Sequence, residues 1–386
     1  RSMSSPSKKK ASARPFSLLV KPASADCNLR CDYCFYLEKM SLYPENRKHR
    51  MDYETLECLV AGYMRTRQPV YSFAWQGGEP TLMGLDFFRS VTSLQERYGR
   101  PGSTVFNGLQ TNGVEIDDDF AEHLGAYRFL TGVSIDGPPE LHNVYRKGAD
   151  GRGSYDRVIR GIESLQRHGA GVNGLVLVSR ANAGSPEKVY RHLKELGLYH
   201  HQYIPCVEYD EQGNPLPWTI NGEEWGEFLI RLFDEWSRGD IGKVSIRRFE
   251  AITAAVKGMD PGMCTMGRNC TQYFVVEHSG DVYPCDFFVE RELELGNIRD
   301  SSWEDLKKSK LYRQFGRRKN EWDPACASCP YLPLCAGGCL KHRPGSGIAP
   351  QAPAAGKSGR RSVLCAGWFT FFQKTLPNFH KIAQNI

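Results

Sequence analysis

Thirteen cysteines in a chain of 386 residues constrain this protein more than any other feature. With 40% hydrophobic residues the chain can fill one large or two ordinary globular cores, so cysteine is not needed as a disulfide framework and points to metal or redox chemistry. Eleven of the thirteen form two groups: Cys27, Cys31 and Cys34 near the start, and Cys264, Cys270, Cys285, Cys326, Cys329, Cys335, Cys339 and Cys365 in the last third. Cys58 and Cys206 stand apart and read as small buried hydrophobes. Fifty Lys and Arg against 44 Asp and Glu give a net charge of +6 spread along the chain, which disfavours a dedicated nucleic-acid binder. No apolar run reaches the ~20 residues of a membrane helix. The opening RSMSSPSKKKASARPF has a basic run without an apolar stretch behind it, so no secretory signal is read. A cytoplasmic protein is expected, with residues 1–15 as a disordered tail and Lys8 to Lys10 solvated.

From Phe16 to Cys206, β-rich runs alternate with amphipathic helical stretches. Strands are predicted at FSLLVK from Phe16, VYSFAW from Val70, STVFNGLQ from Ser103, FLTGVSID from Phe129, GVNGLVLV from Gly171 and HQYIPCVE from His201. Helices are predicted from Asp52, Leu85, Ser154 and Ser185. This alternation calls for a parallel sheet with helical crossovers, and about six units, short of a closed eight, suit a partial barrel. A doubly wound open sheet is the other arrangement of such units. Beyond Cys206, a helix is predicted from Gly222 to Arg238, a short one near Arg247, a hairpin turning at Ser279-Gly280, and an aromatic helix from Ala366. The Pro/Gly/Ala-rich Pro344 to Arg361 stretch reads as a loop. The expected division is a tail over 1–15, an α/β barrel over 16–240 and a cysteine-rich domain over 241–386.

The segment C-N-L-R-C-D-Y-C sets three thiols directly after the first strand, at the sheet edge where α/β proteins build sites. Three thiolates can hold three irons of a cubane cluster and leave the fourth open to a substrate or cofactor. A zinc site of three Cys and one His, with His49 as the nearest downstream histidine, is the competing reading. Cys27, Cys31 and Cys34, with Tyr33 and Tyr36, resemble the signature of radical S-adenosylmethionine enzymes. The resemblance continues through Gly77-Gly78-Glu79-Pro80 after the second strand, Gln110-Thr111-Asn112-Gly113 after the third, and Ser134-Ile135-Asp136-Gly137-Pro138 after the fourth, with Arg146 beyond it. It implies a partial (β/α)6 barrel of the radical SAM type, in which the cluster's open iron takes the amine and carboxylate of S-adenosylmethionine. Glu79 with the Gly77 and Gly78 backbone would accept the ammonium protons. Ser134 and Arg146 would donate to the ribose and carboxylate, and Tyr33 and the backbone around Val207 would lie on the adenine side.

The second group reads C-x5-C-x14-C, then C-x2-C-x5-C-x3-C, then a last cysteine, enough for two four-Cys clusters. Paired structural zinc sites are the plainer reading of such thiols. The pattern is similar to the SPASM domain, and more narrowly to anaerobic sulfatase-maturating enzymes. That resemblance assigns Cys264, Cys270, Cys285 and Cys339 to one auxiliary 4Fe-4S cluster and Cys326, Cys329, Cys335 and Cys365 to the other, giving three 4Fe-4S clusters in all. One departure is the long Pro/Gly/Ala-rich connection between Cys339 and Cys365. Asp286, directly after Cys285, matches the acid that deprotonates the substrate side chain in that family; without the family it reads first as a hairpin-end Asp bonding backbone amides. The resemblance implies oxidation of a Cys or Ser, in an unfolded sulfatase segment of the type C/S-x-P-x-R, to Cα-formylglycine by a 5'-deoxyadenosyl radical. It further implies a flavodoxin- or ferredoxin-like electron donor, a monomer, and neither nucleic acid nor membrane as partner. The rival functions are a thioether-forming radical maturase, which shares the two-cluster domain, and a non-enzymatic iron-sulfur electron carrier.

Overall fold

Ten strands make one sheet in the computed structural model, which describes residues 15–344 and 360–385. The Lys8 to Lys10 run and most of the Pro344 to Arg361 loop lie outside the described residues. The strands are β1 (Ser17–Lys21), β2 (Val70–Trp75), β3 (Thr104–Thr111), β4 (Leu130–Ser134), β5 (Gly171–Val178), β6 (His200–Pro205), β7 (Ser245–Ile246), β8 (Tyr273–Glu277), β9 (Asp281–Tyr283) and β10 (Gly296–Asn297). Their order is β10-β9-β8-β1-β2-β3-β4-β5-β6-β7, and every pair from β1 to β7 is parallel. A doubly wound sheet reverses direction at a switch point, whereas here β1 to β7 run in chain order. The fold is the partial (β/α)6 barrel, extended beyond β1 by the added strands β8, β9 and β10 rather than by two further barrel units.

Helices connect the strands as the alternation demands: α1 (Tyr53–Met64), α2 (Leu85–Tyr98), α3 (Asp118–Ala126), α4 (Pro139–Tyr145), α5 (Tyr155–Arg167), α6 (Pro186–Glu195) and α7 (Gly222–Ser237), with α8 (Arg247–Val256) after β7. Asp52 and Asp117 cap α1 and α3 by accepting from backbone amides, and Asn221 with Glu224 forms a reciprocal capping box on α7. One hydrophobic core runs from Phe16, just before β1, to Ile382 in the C-terminal helix, Cys365–Asn385. No helix among the described residues is long and apolar enough to cross a membrane.

The sheet's outer edge carries the largest departure from the reading above. The hairpin forms as predicted, with Gly280 at φ 91 in its turn, but its first strand also pairs in parallel with β1, from Ser17 opposite Tyr273 to Lys21 opposite Glu277. The cysteine-rich segment thereby continues the barrel sheet.

The C-terminal helix packs its Trp368, Phe371 and Phe379 rings against Trp225 and Phe233 of α7 and Phe249 of α8. The crossing with α7 is backbone to backbone: a Cβ on Gly367 would overlap the Gly222 carbonyl and stand 2.7 Å from the Gly226 nitrogen. Gly367→Ala gains ~1 kcal/mol of helix propensity but meets main chain that cannot rotate away, and overpacking costs ~1–3 kcal/mol or more. A net loss of stability is expected, read as a lower denaturant midpoint in the full-length chain. A higher midpoint would show that the helices part without cost.

Candidate active site

The loop after β1 carries Cys27, Cys31 and Cys34 and is held from two sides. Arg30 and Asp32 amides donate to the Lys147 and Tyr145 carbonyls at 2.7 and 3.0 Å. From β2, the Gly78 and Glu79 amides donate to the Ser24 and Asp26 carbonyls at 2.6 and 2.7 Å. A Cβ on Gly78 would overlap the Asp26 carbonyl, and one on Gly77, at φ 142, would lie 2.7 Å from that of Ser24. The two glycines are thus required by the contact between loops. Cys27 Sγ accepts from the Leu29 amide at 3.4 Å and the Asn112 side chain at 3.7 Å. Burial, reinforced by Glu79, pushes the Cys27 thiol up to about 12, and burial pushes Cys31 up to about 11. Metal loading must therefore displace protons from this loop, and acid opposes it.

The remaining matched pieces gather at the same strand ends. Glu79 is fully buried, and its carboxylate accepts from the Thr81 amide and hydroxyl (3.0 and 2.7 Å), the Thr111 hydroxyl (2.7 Å) and the Asn112 amide (2.7 Å). Burial raises its carboxyl while these donors oppose. Glu79 ties the β2 loop to the β3 loop. Tyr33 donates its hydroxyl to Asp136, which also accepts from Arg146 Nε at 3.0 Å and the Leu177 amide at 2.9 Å. The Arg146 guanidinium stands 5.4 Å from the Tyr33 ring centre. Burial disfavours its charge, but Asp136 and Tyr33 outweigh that and hold its pKa above the ordinary value. Ser134 ends β4 half-buried, and Val207 lies buried just beyond β6.

Asp286 reaches these strand ends from the outer edge. Its Oδ1 lies 2.5 Å from Lys21 Nζ, and its Oδ2 accepts from Gln76 Nε2 at 2.8 Å. Apart from that ammonium, Oδ1 has no partner among the described residues. Lys21, the last residue of β1, is 1% exposed, with its Nζ 3.6 Å from the Tyr36 ring centre; Tyr36 in turn donates to Glu277. Sequence reasoning missed Lys21 and Gln76. The available signal was a charge closing the apolar run FSLLVK and an amide directly before Gly77.

The eight later cysteines lie in two neighbourhoods. In the first, Cys264, Cys270 and Cys285 are each close enough to Cys339 to be electrostatically coupled to it. In the second, Cys326, Cys329 and Cys335 act on Cys365, and all four line one cavity of about 300 Å³ with Pro330, Leu332 and Phe369. Cys365 opens the C-terminal helix beside its set despite the long connection before it. Among the described residues no three His, Cys, Asp or Glu side chains close on a point as they would around a single ion. A cavity ringed by spaced thiols fits a polynuclear cluster better than zinc. His49 is no ligand candidate: its ring nitrogens meet Asp26 at 2.8 Å and the Tyr43 carbonyl at 2.9 Å.

Residues 22–193 match the model of the Radical SAM superfamily, and residues 264–330 match that of an iron-sulfur cluster-binding domain. Fold and site together define a radical S-adenosylmethionine enzyme with a SPASM iron-sulfur domain. A serine-type anaerobic sulfatase-maturating enzyme of Bacteroides thetaiotaomicron is 37% identical over 95% of this chain and 90% of its own. A cysteine-type enzyme of Clostridium perfringens is 34% identical over 96% and 99%. The solved structure of native anSMEcpe with bound AdoMet and Cp18Cys peptide superposes with a TM-score of 0.87 at 34% identity, covering 96% of this chain and 99% of that one. This chain belongs to the anaerobic sulfatase-maturating enzymes.

Because the first loop is built on β1 and the later sets on separate segments, replacing Cys27, Cys31 and Cys34 together by Ala should abolish S-adenosylmethionine cleavage and lower reconstituted iron from about twelve to about eight per chain. Production of 5'-deoxyadenosine by the reduced triple variant would refute the assignment of the radical site.

Proposed function

We propose that this chain oxidises a Cys or Ser side chain in a C/S-x-P-x-R segment of an unfolded sulfatase to Cα-formylglycine, with Asp286 as the proton acceptor. The observation that carries the reading is Asp286 itself: an acid covalently next to cluster ligand Cys285, with one oxygen held by Gln76 and the other ion-paired to Lys21 at 2.5 Å. The three cysteine sets would hold 4Fe-4S clusters that, with S-adenosylmethionine, supply a 5'-deoxyadenosyl radical at Cys27, Cys31 and Cys34 and an electron sink at the other two. Gly77 and Gly78 accept from the cofactor's ammonium, while Ser134, Arg146, Tyr33 and Val207 form the ribose and adenine sides. Asp286 takes the thiol or hydroxyl proton once the substrate Cβ has lost hydrogen. Lys21 balances the carboxylate charge beforehand, and Gln76 fixes its orientation. In this reading residues 16–240 generate the radical and 241–386 carry the electron away. A flavodoxin or ferredoxin supplies electrons, and the enzyme acts as a cytoplasmic monomer.

Asp286→Asn keeps the size of the side chain and a polar contact with Gln76 but cannot take up a proton at neutral pH. The variant should bind its clusters and still cleave S-adenosylmethionine, while formylglycine yield on a C/S-x-P-x-R peptide, measured by mass, falls by ~10²-fold or more. Conversion near the wild-type rate would make Asp286 a turn residue.

A further inference from the structure

Cys335 and Cys339 belong to different auxiliary sets, yet only three residues separate them. All three, Ala336, Gly337 and Gly338, have left-handed backbone, with φ of 47, 71 and 73. Such a run is costly for an L-residue and gathers neighbouring carbonyls around a common centre. Two buried cations fill that centre. Lys319 Nζ donates to the Thr265 and Ala336 carbonyls at 3.0 and 3.1 Å and to that of Gly338. The Arg343 guanidinium donates to the carbonyls of Gly337 (2.8 Å), Ala336 (2.8 Å), Gly338 (3.1 Å) and Lys319 (3.0 Å). A Cβ on Gly337 would stand 2.5 Å from Arg343 Nη2.

Lys319 and Arg343 are each 1% exposed, and neither has a carboxylate at ion-pair distance among the described residues. Neutral carbonyls replace only part of the water that two buried cations give up. Burial pulls the pKa of both downward, and the groups that oppose this are sulfurs of both sets, which carry negative charge once they ligate a cluster: Cys270, Cys339 and Cys335 for Lys319, and Cys339, Cys335, Cys270 and Cys326 for Arg343. Arg248, bonded to the Thr265 hydroxyl at 3.0 Å, likewise faces Cys264, Cys335 and Cys339.

We propose that Lys319 and Arg343 are a shared, fixed positive charge between the two auxiliary clusters that raises the reduction potential of both. A four-thiolate cluster gains negative charge when reduced, so a cation caged nearby in a medium of low dielectric stabilises the reduced state more than the oxidised one. The carbonyl cage keeps the charge from following the electron, so both clusters feel the same field in either state. The proposal rests on the reading that these clusters accept the substrate's electron, because a raised potential is what an acceptor pair needs.

The test is an anaerobic redox titration followed by electron paramagnetic resonance. It uses the reconstituted full-length chain in the Cys27, Cys31 and Cys34 to Ala background, so that only the auxiliary clusters give signal. Lys319→Met should make reduction of both clusters at least tenfold less favourable, a fall of about 59 mV for a one-electron couple. Arg343→Gln should act in the same direction. Lys319→Arg should stay within about threefold of the parent, which is less than half that shift on the same scale. Unchanged potentials in Lys319→Met with about eight irons per chain would overturn the proposal. So would iron loss from both charge-removing variants while Lys319→Arg stays loaded, since the cations would then serve assembly. No peptide enters the measurement, so a failed sulfatase reading would leave this result standing.

Discussion

The parallel pairing of β8 with β1 is the contact on which the proposed chemistry depends. It sets Glu277 opposite Lys21 and brings the following hairpin, with Cys285 and Asp286 at its end, onto the first strands of the barrel. Without it, the thiol loop after β1 and the acid after Cys285 would belong to separately anchored pieces of chain. With it, Lys21 of β1 and Gln76 after β2 grip an acid more than two hundred residues away in sequence. A shared sheet is stiffer than a docked interface, because slipping it would break a ladder of hydrogen bonds and turn the buried faces of β1 and β8 outward.

The barrel was largely legible because each of its features has a local cause. A parallel strand covered on both faces shows as a short apolar run, and a helix covering it shows its period, so β1 to β5 emerged within a residue or two of their observed bounds, and β6 ends three residues before the predicted run does. The hairpin announced itself through Ser279-Gly280. The pairing of β8 with β1 left no such trace, since a parallel contact across some two hundred and fifty residues has no turn residue of its own. The two-residue strands β7 and β10 are too short to show any periodicity. Of the two remaining cysteines, Cys206 is buried as read, and Cys58 is half-buried with its thiol 3.5 Å from the Ile298 carbonyl.

At the site, sequence indicated which segments meet but not what each atom does. Glu79 is the clearest example: its position in Gly77-Gly78-Glu79-Pro80 suggested a carboxylate open to a ligand, whereas in the fold four donors from Thr81, Thr111 and Asn112 already fill it. Gly78 suggested backbone exposed to a cofactor, and its tightest contact is with the carbonyl of Asp26. Both residues are needed, yet their measured contacts are loop to loop. Lys21 is the converse case, a charge that pattern reading passes over at a strand end and that proves to be the counterion of the proposed base.

The adjacency of Cys285 and Asp286 has a chemical consequence. A carbon radical beside a thiol or hydroxyl becomes a much stronger reductant when that group loses its proton, so proton and electron are best removed together and from the same side. One peptide bond joins the proposed proton acceptor to a proposed ligand of the electron sink, and no conformational step can separate the two. The nearby charges favour the same outcome. Lys21 offsets the carboxylate before it takes the proton, with the Tyr36 ring beneath its ammonium. On the proposal above, Lys319 and Arg343 would offset the electron once it arrives among the later cysteines. In each case a buried cation stands where negative charge would appear, so the field is in place before the substrate reacts and little has to reorganise when it does.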